Sequence, residues 1–354
     1  MNALKQEIEQ IVLPSGNSLA SIAARVRVAE TAGRVAVSIV VGVPVAAFQD
    51  QLHAQVEQRV AAAALQLGHF ELTQRIATHA VQPGVEPLAN VRNLIAIASG
   101  KGGVGKSTTA VNLALALAEE GARVGVLDAD IYGPSVPMML GLSGRPDTSD
   151  GKTIEPMRAH GIEAMSIGLL VDQDTPMIWR GPMATSALTQ LLTETRWGDL
   201  DYLIVDLPPG TGDIQLTLAQ KIPVAGAVIV TTPQDVATLD ARKALKMFEK
   251  VNVPVLGLVE NMAVHRCSSC GHAEHVFGQG GGERMAEQYG VPLLGSLPLE
   301  IGIREQGDAG CPTVKSAPES AAAHAYRSTA RRLAAELAKR PHVATPLSVS
   351  LLGD

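Results

Sequence analysis

Aromatic side chains, cysteines and net charge are all scarce in this 354-residue chain. Phe, Trp and Tyr make up 3% of the residues, which leaves few stacking platforms for a single-stranded nucleic acid. The 29 basic and 35 acidic side chains give a net charge of −6, which disfavours bulk attraction to nucleic acid or anionic lipid. Three cysteines, an odd number, do not form a disulfide framework. We therefore expect no nucleic-acid partner and a reducing compartment.

Long apolar runs are missing as well. The longest uncharged apolar stretch, residues 35–48, is shorter than the roughly 20 residues of a membrane helix, and Pro44 interrupts it. The N-terminus contains Glu7 and Glu9 and lacks the apolar segment of a secretory signal. These absences predict a soluble, cytoplasmic protein without a membrane partner. The length and the 46% hydrophobic content indicate an ordinary globular chain of about two domains.

Residues 1–82 are predicted to form a small α+β domain. Helical and β-rich patterns alternate there, and a Pro/Gly-rich segment then marks a linker at residues 83–92. The predicted helices are 3–12 and 48–67, and the predicted strands are 22–29, 34–41 and 70–79.

From residue 91 onwards, short β-branched runs alternate with helical patterns. Strands that read as continuous apolar runs are buried on both faces, and right-handed crossovers make such a sheet largely parallel. The sequence thus predicts an α/β domain over residues 93–340, with helices flanking a mostly parallel sheet, and a flexible tail at 341–354. The predicted strands are 94–98, 124–128, 202–206, 227–231, 255–260 and 293–297; the predicted helices include 107–120, 236–251 and 319–339.

A glycine-rich loop follows the first of these strands and opens a helix. Residues 100–107 match G-x-x-x-x-G-K-[ST], a loop whose backbone N–H groups surround phosphate oxygens. Lys106 is expected to reach the β- and γ-phosphates as a catalytic residue, and Ser107 to bind Mg²⁺ together with Asp206, the acid that ends strand 202–206. The residues predicted to bind ATP in this loop are Gly100, Lys101, Gly102, Gly103, Val104, Gly105, Lys106, Ser107 and Thr108.

The second lysine of the loop gives it a distinctive form. G-K-G-G-V-G-K-S-T resembles the deviant phosphate loop of the partitioning and septum-site ATPases and of nitrogenase iron protein. The resemblance implies that Lys101 is catalytic and crosses a homodimer interface to touch the partner's nucleotide. It also implies that D-A-D-I-Y-G-P-S is a switch segment, in which Asp130, or alternatively Asp128, orients the attacking water. By the same resemblance, Asn261 and Pro298 border the adenine.

Cys267 and Cys270 form a Cys-x-x-Cys pair shortly after strand 255–260. A thioredoxin-type dithiol is disfavoured by this late position inside a nucleotide-binding domain. A zinc knuckle gains support from three nearby histidines, two of which would complete a set of four N/S ligands in one chain. An iron–sulfur cluster needs four thiolates, which a two-fold symmetric dimer supplies. The three histidines are His265, His272 and His275.

Five motifs together resemble the Mrp/ApbC family of iron–sulfur cluster carrier ATPases. The resemblance covers about residues 91–308 and implies slow ATP hydrolysis and a 4Fe–4S cluster held across a homodimer by the cysteine pair. It also implies cluster donors and ATP-dependent transfer to recipient apoproteins. The motifs are G-K-G-G-V-G-K-S-T at Gly100, D-A-D-I-Y-G-P-S at Asp128, D-L-P-P-G-T-G-D at Asp206, E-N-M at Glu260 and C-x-x-C at Cys267.

The remaining cysteine and the first domain receive smaller roles. Residues 1–90 contain no cysteine, so we expect this domain, which loosely resembles the small domain often fused before such ATPases, to serve in docking. Cys311 is assigned no ligand role. Two rival functions share the loop: a spatial-organisation ATPase, which the lack of a Lys/Arg-dense segment disfavours, and an ATP-dependent ligase, for which no second substrate site is found in the sequence.

Overall fold

The computed structural model describes residues 1–31, 33–148, 151–170, 181–267 and 269–343. Its first five elements form a small unit with a three-stranded sheet in the order β1-β2-β3. The side chains of the middle strand alternate, and its buried face shares a core with the two helices of the unit. The elements are α1 (Asn2–Glu9), β1 (Arg25–Thr31), β2 (Arg34–Val41), α2 (Gln49–Ala62) and β3 (Leu67–Gln74).

The small sheet combines an antiparallel hairpin with one parallel strand. β1 and β2 pair antiparallel, and β2 pairs parallel with β3 through the α2 crossover. The third strand lies at Leu67–Gln74, three residues before the predicted start. It ends there because β2 also ends, at a hydrogen bond from the Arg75 N–H to the Val41 carbonyl. The chain then turns to the large sheet.

The large sheet has eight strands in the order β13-β10-β9-β4-β8-β5-β7-β6, and only β6 is antiparallel to its neighbour. This confirms the predicted α/β fold. The sequence pattern did not predict β6 and β7, which are short and contain Arg158 and Glu163. The strands are β4 (Val91–Ala98), β5 (Val124–Asp128), β6 (Met157–Ala159), β7 (Ile162–Ser166), β8 (Leu200–Asp206), β9 (Val224–Thr231), β10 (Val255–Glu260) and β13 (Leu293–Ser296), and β11 (His265–Arg266) pairs with β12 (Ala273–Glu274) as a separate ribbon.

Helices cover the large sheet, and none that the structure describes is long and apolar enough to cross a membrane. The small unit packs against this layer: the Ala46 N–H donates to the Glu120 carbonyl at 3.0 Å, and one core joins both units. The domain division at residues 82 and 93 stays a prediction, and the predicted tail lies outside the described residues after residue 343. The helices are α3 (Lys106–Glu119), α4 (Val136–Met139), α5 (Gly181–Glu194), α6 (Asp213–Lys221), α7 (Asp235–Lys250), α8 (Gly281–Tyr289), α9 (Ile301–Asp308), α10 (Thr313–Ser316) and α11 (Ala321–Ala338).

The parallel register brings the chemically interesting strand ends to one edge of the sheet. Asp128 at the end of β5 lies opposite Asp206 at the end of β8, and Asp206 lies opposite Ile97 of β4. In open parallel sheets, ligands bind outside the carboxyl ends of the strands. The loops that follow these strands therefore define the candidate site.

Candidate functional site

The glycine-rich loop between β4 and α3 is packed from two sides and open on a third. Gly103 and Gly105 have φ values of +80° and +78°, in the left-handed region that favours glycine. A Cβ atom at Gly105 would lie 2.2 Å from Nδ2 of Asn261, and one at Gly100 would lie 2.1 Å from a backbone carbon of Asp240. A Cβ atom at Gly103 would meet nothing within 4 Å. The open side lies in front of the α3 N-terminus, where phosphate binds favourably.

Lys106 and Asp206 form a buried ion pair beneath the loop. The distance from Lys106 Nζ to Asp206 Oδ1 is 2.6 Å, and the two side chains are 6% and 0% exposed. Burial raises the pKa of Asp206 above its ordinary value, and the Lys106 ammonium opposes that rise. Oδ2 of Asp206 is buried and lacks a hydrogen-bond partner in the described part of the chain. This carboxylate oxygen and the nearby Ser107 hydroxyl, 3.5 Å from Lys106 Nζ, are oxygen ligands of the kind that Mg²⁺ prefers.

The structure separates the two acids of the D-A-D segment. Asp128 is fully buried, and its carboxylate accepts hydrogen bonds from the backbone N–H groups of Asp130, Ser135 and Val136 and from the Ser166 hydroxyl. Burial, followed by the charge of Asp206, raises the pKa of Asp128 to about 7. Asp128 therefore holds the loop after β5 in place.

Asp130 instead faces the phosphate loop. Its side chain lines the same cavity as Lys101 and Ser107, and its buried Oδ1 has no hydrogen-bond partner among the described residues. An acceptor without a partner is suited to hold a water molecule. Asp130 rather than Asp128 therefore offers a free acceptor at the cavity beside the phosphate loop.

Two adjoining cavities extend from the loop. The first, of about 240 Å³, is lined by Lys101, by other loop residues and by Pro209. The second, of about 180 Å³, is lined by Asn261, Pro298 and Tyr326 among others. Their position and combined size suit the phosphates and the base of one nucleotide. The residues that line both cavities are Gly105, Thr108 and Met139.

Asn261 also positions the loop. Its Nδ2 donates a hydrogen bond of 2.9 Å to the Val104 carbonyl, and its backbone N–H donates to the Thr231 carbonyl. The sequence resemblance predicts Asn261 only beside the base. A further residue of the site is Ser166, which anchors Asp128 from the end of β7. No signal in the sequence marked Ser166, because the strand that carries it was not predicted.

The cysteine pair stands on a short hairpin beside the second cavity. The hairpin is formed by β11 and β12, and the Cys267 N–H donates to the His272 carbonyl at 2.9 Å. It is fixed to the edge of the sheet by Leu299, which follows the cavity residue Pro298 and donates its N–H to the Val264 carbonyl at 2.8 Å. The cysteine pair and the nucleotide cavity therefore share a support.

The turn of this hairpin favours a thiolate. Cys267 is half-buried and Cys270 is exposed. Hydrogen bonds from the backbone N–H groups of Cys270 and Ser269 lower the pKa of the Cys267 thiol. Ser268 lies outside the described residues. A low-pKa, accessible cysteine next to a second cysteine is typical of thiolates that bind metal.

A metal site with three or more ligands is not formed within the described residues of one chain. The structure there shows no group of three or more His, Cys, Asp or Glu side chains that could hold a metal ion. His265 and His275 each use Nδ1 in a hydrogen bond to a backbone carbonyl, of Leu299 and Ala263 respectively. The hairpin thus presents two free thiols, half the number that a four-thiolate cluster requires.

Comparison with known proteins places this geometry in a family. A family model described as ParA, NUBPL iron-transfer P-loop NTPase matches residues 90–334. The iron–sulfur cluster carrier protein of Pseudomonas fragi is 64% identical over 262 residues, which are 73% of this chain and 91% of that protein. A nucleotide-binding protein of Archaeoglobus fulgidus, solved in complex with ADP, is 39% identical with a TM-score of 0.55, over 62% of this chain and 87% of the other.

A second solved structure shows the fold alone. The cell division ATPase MinD of Pyrococcus furiosus is 24% identical, with a TM-score of 0.52 over 68% of this chain and 98% of that one. The resemblance to the cluster carrier ATPases is confirmed, while the rival spatial-organisation ATPases share the architecture at low identity. The matched residues include the loop, Asp206 and both hairpin cysteines, and residues 1–89 lie outside them. The chain belongs to the iron-transfer P-loop NTPase family, among the iron–sulfur cluster carrier proteins.

Proposed function

We propose that the chain binds ATP with Mg²⁺ at the glycine-rich loop and hydrolyses it slowly. The loop N–H groups and Lys106 hold the phosphates, and Asn261 and Pro298 border the base. Ser107 and Asp206 would hold Mg²⁺, which supplies positive charge against the phosphate oxygens. Two buried carboxylate oxygens without partners in the described chain, on Asp206 and Asp130, support this assignment.

In the proposed hydrolysis, Asp130 orients a water molecule in line with the terminal phosphate. The water oxygen forms a new bond to the γ-phosphorus, the bond from that phosphorus to the bridging oxygen breaks, and the water proton ends on inorganic phosphate. Lys106, and Lys101 from the partner copy, neutralise charge on the transferred group. Because no residue acts as a strong base, positioning supplies most of the acceleration, and we expect slow turnover.

The cargo is a 4Fe–4S cluster held by Cys267 and Cys270 of two copies. The observation that carries this proposal is a turn that presents two sulfur ligands on an exposed hairpin, with N–H groups directed at one of them. Two such turns related by a two-fold axis supply four thiolates. The carriers give the cluster to recipient apoproteins after loading by a donor. Exposed thiols need reducing surroundings such as the cytoplasm.

A surface beside the phosphate loop supports the homodimer. Gly100 packs on the backbone of Asp240 in α7, so this helix borders the loop. On its first turns, Val236 and Leu239 are 64% and 51% exposed. Lys101 lines the neighbouring cavity and forms no ion pair within the described residues. A second copy of the chain could cover these exposed apolar side chains and place its bound nucleotide phosphates beside the Lys101 ammonium.

Reconstitution without oxygen tests the cargo. Wild-type protein should take up roughly four irons and four sulfides per two chains. Cys267→Ser or Cys270→Ser removes two of the four ligands per dimer, so iron content should fall to background while ATP affinity stays within about twofold, since nucleotide binding needs no thiol. Cys311→Ser is the matched control and should load fully. Full loading of Cys267→Ser protein, or uptake of zinc and no iron by wild type, contradicts the proposal.

A further inference from the structure

A cavity of about 560 Å³ lies between the small unit and the large sheet, away from the nucleotide. Its wall includes Arg25 and Val40 from the small sheet, Arg92 from β4 and His342 after α11. The volume lies within the range of small-molecule sites. The cavity is polar and belongs to neither of the two sites described above.

The charged side chains that line this cavity are all basic among the described residues. Three arginines line the cavity, at positions 25, 75 and 92, and none of the described lining residues is Asp or Glu, although the chain carries a net charge of −6. Arg92 Nη1 is shared with Asp201 at 2.9 Å and Asp199 at 3.0 Å. Arg25 and Arg75 form no ion pair and no side-chain hydrogen bond within the described residues. Clefts lined by charge of one sign concentrate ions of the opposite sign.

A buried histidine belongs to the same wall. His79 is 2% exposed, and its Nδ1 lies 2.9 Å from Asn93 Oδ1. The Asn93 amide nitrogen donates to the carbonyls of Ala77 and Asp201, which fixes its oxygen towards His79. Nδ1 therefore carries the proton, and Nε2 is an acceptor that has no partner in the described part of the chain. Burial lowers the pKa of His79, which keeps the ring neutral.

We infer that this cavity binds a small multivalent oxyanion that carries a hydroxyl group. Arg25 and Arg75 pair with the negative oxygens, and the hydroxyl donates to His79 Nε2. Hydroxy-polycarboxylates and hydrogenphosphate share this chemistry. Because Arg25 belongs to the small unit and His79 is held by Asn93 of β4 in the large sheet, the bound anion bridges the two units.

The test compares anions at constant ionic strength, with excess ADP added to occupy the phosphate loop. Binding of malate, succinate and phosphate is measured by calorimetry on wild type, on an Arg25→Gln, Arg75→Gln double variant and on Arg27→Gln. Arg27 is the matched control, since it is an exposed arginine of the same strand that does not line the cavity. Unchanged ADP affinity shows that the variants are folded.

We expect malate to bind the wild-type protein and to bind the double variant at least about tenfold more weakly. The affinity of the control variant for malate should differ from that of wild type by less than about twofold. Succinate, which lacks the hydroxyl, should bind more weakly than malate. If phosphate binds more tightly than malate and this binding is lost in the double variant, the ligand is inorganic phosphate rather than a hydroxy-polycarboxylate. Absence of binding by all three anions, or equal losses in the control and the double variant, overturns the proposal. Equal binding of malate and succinate contradicts the role of His79.

Discussion

The nucleotide site and the cysteine hairpin lie on the same edge of one sheet but are built in opposite ways. Lys106, Asp128 and Asp206 are buried, and each is fixed by partners from neighbouring strands or loops. Cys267 and Cys270 stand on a two-stranded ribbon, half-buried and exposed. The first site has its glycine-rich loop, Lys106 and Asp206 within one chain, whereas the second offers two of the four thiols that a 4Fe–4S cluster requires.

The difference between the two sites matches the difference between binding a nucleotide and transferring a cluster. A buried, preorganised site binds nucleotide with groups that need little rearrangement. A cluster that must pass to another protein benefits from ligands at the surface, where an incoming thiolate reaches the metal. Pro298 and Leu299 connect the two sites, because one lines the base cavity and the other supports the hairpin. The side chains proposed to bind phosphate and those proposed to bind the cluster are nevertheless different, so a substitution of a ligand in one site should spare the other.

The largest effect is expected from Lys106→Ala. Loss of the ammonium should weaken ATP binding roughly tenfold to a hundredfold. It also leaves Asp206 buried without its partner, which should lower the free energy of unfolding by about 3 to 5 kcal/mol. Equilibrium dialysis and urea unfolding measure the two. The exposed Lys243, paired with Asp240 at 2.9 Å, supplies the control, and Lys243→Ala should change neither quantity appreciably. Unchanged ATP affinity in Lys106→Ala contradicts the site.

Lys101→Ala should separate binding from turnover. Since Lys101 is proposed to act on the partner's nucleotide, ATP affinity should be kept while hydrolysis falls at least about tenfold. Phosphate release at saturating ATP, with affinity measured in parallel, reports both. The reverse pattern, weaker binding with normal turnover, would show that Lys101 serves its own chain.

A smaller effect concerns the pH dependence of stability. The folded pKa of Asp128, about 7, lies above that of an unfolded aspartate, so the folded state binds more protons between roughly pH 4 and pH 7. Its contribution to stability is therefore present at low pH and lost as the pH rises through 7. Asp128→Asn should flatten this fall, by at most about 3 kcal/mol, in urea unfolding from pH 5 to pH 8. Asp50→Asn, at an exposed helix position, should leave the profile unchanged, and an unflattened Asp128→Asn profile contradicts this assignment.

The smallest effect is expected at the hairpin histidines. His272 is exposed and contacts Cys267 through its carbonyl, so His272→Ala should leave the iron content within about twofold of wild type. Iron analysis after reconstitution checks this. Loss of metal from this variant would support the zinc-knuckle alternative, in which a histidine is a ligand. It would also contradict the view that one chain supplies only two of the ligands at the hairpin.

Much of the nucleotide site was predictable because its chemistry depends on short spacings. Lys106 and Ser107 stand at fixed positions of a glycine-rich loop, and Asp206 ends a strand that reads as buried from its composition. Asn261 and Pro298 were placed by resemblance, and both line the second cavity. The spacing alone identifies the cysteine pair, and the family resemblance predicts that the pair binds an iron–sulfur cluster.

The features that the sequence does not predict are those that depend on tertiary contacts. The choice between Asp128 and Asp130 turns on which side chain faces the loop, and the bond from Ser166 that fixes Asp128 comes from a strand with no clear pattern. The third strand of the small sheet was placed too late, since its end follows from pairing with Val41 in β2. The cationic cavity joins Arg25 and Arg92 across 66 intervening residues, which no local pattern reveals.

The claim that two copies share one cluster can be tested most directly by native mass spectrometry of protein reconstituted without oxygen. We expect a dimer that carries one 4Fe–4S cluster, with the cluster lost and the metal-free chain recovered when Cys270 is replaced by serine. A cluster or a zinc ion on a single chain, or a dimer with one metal centre in each copy, would contradict it.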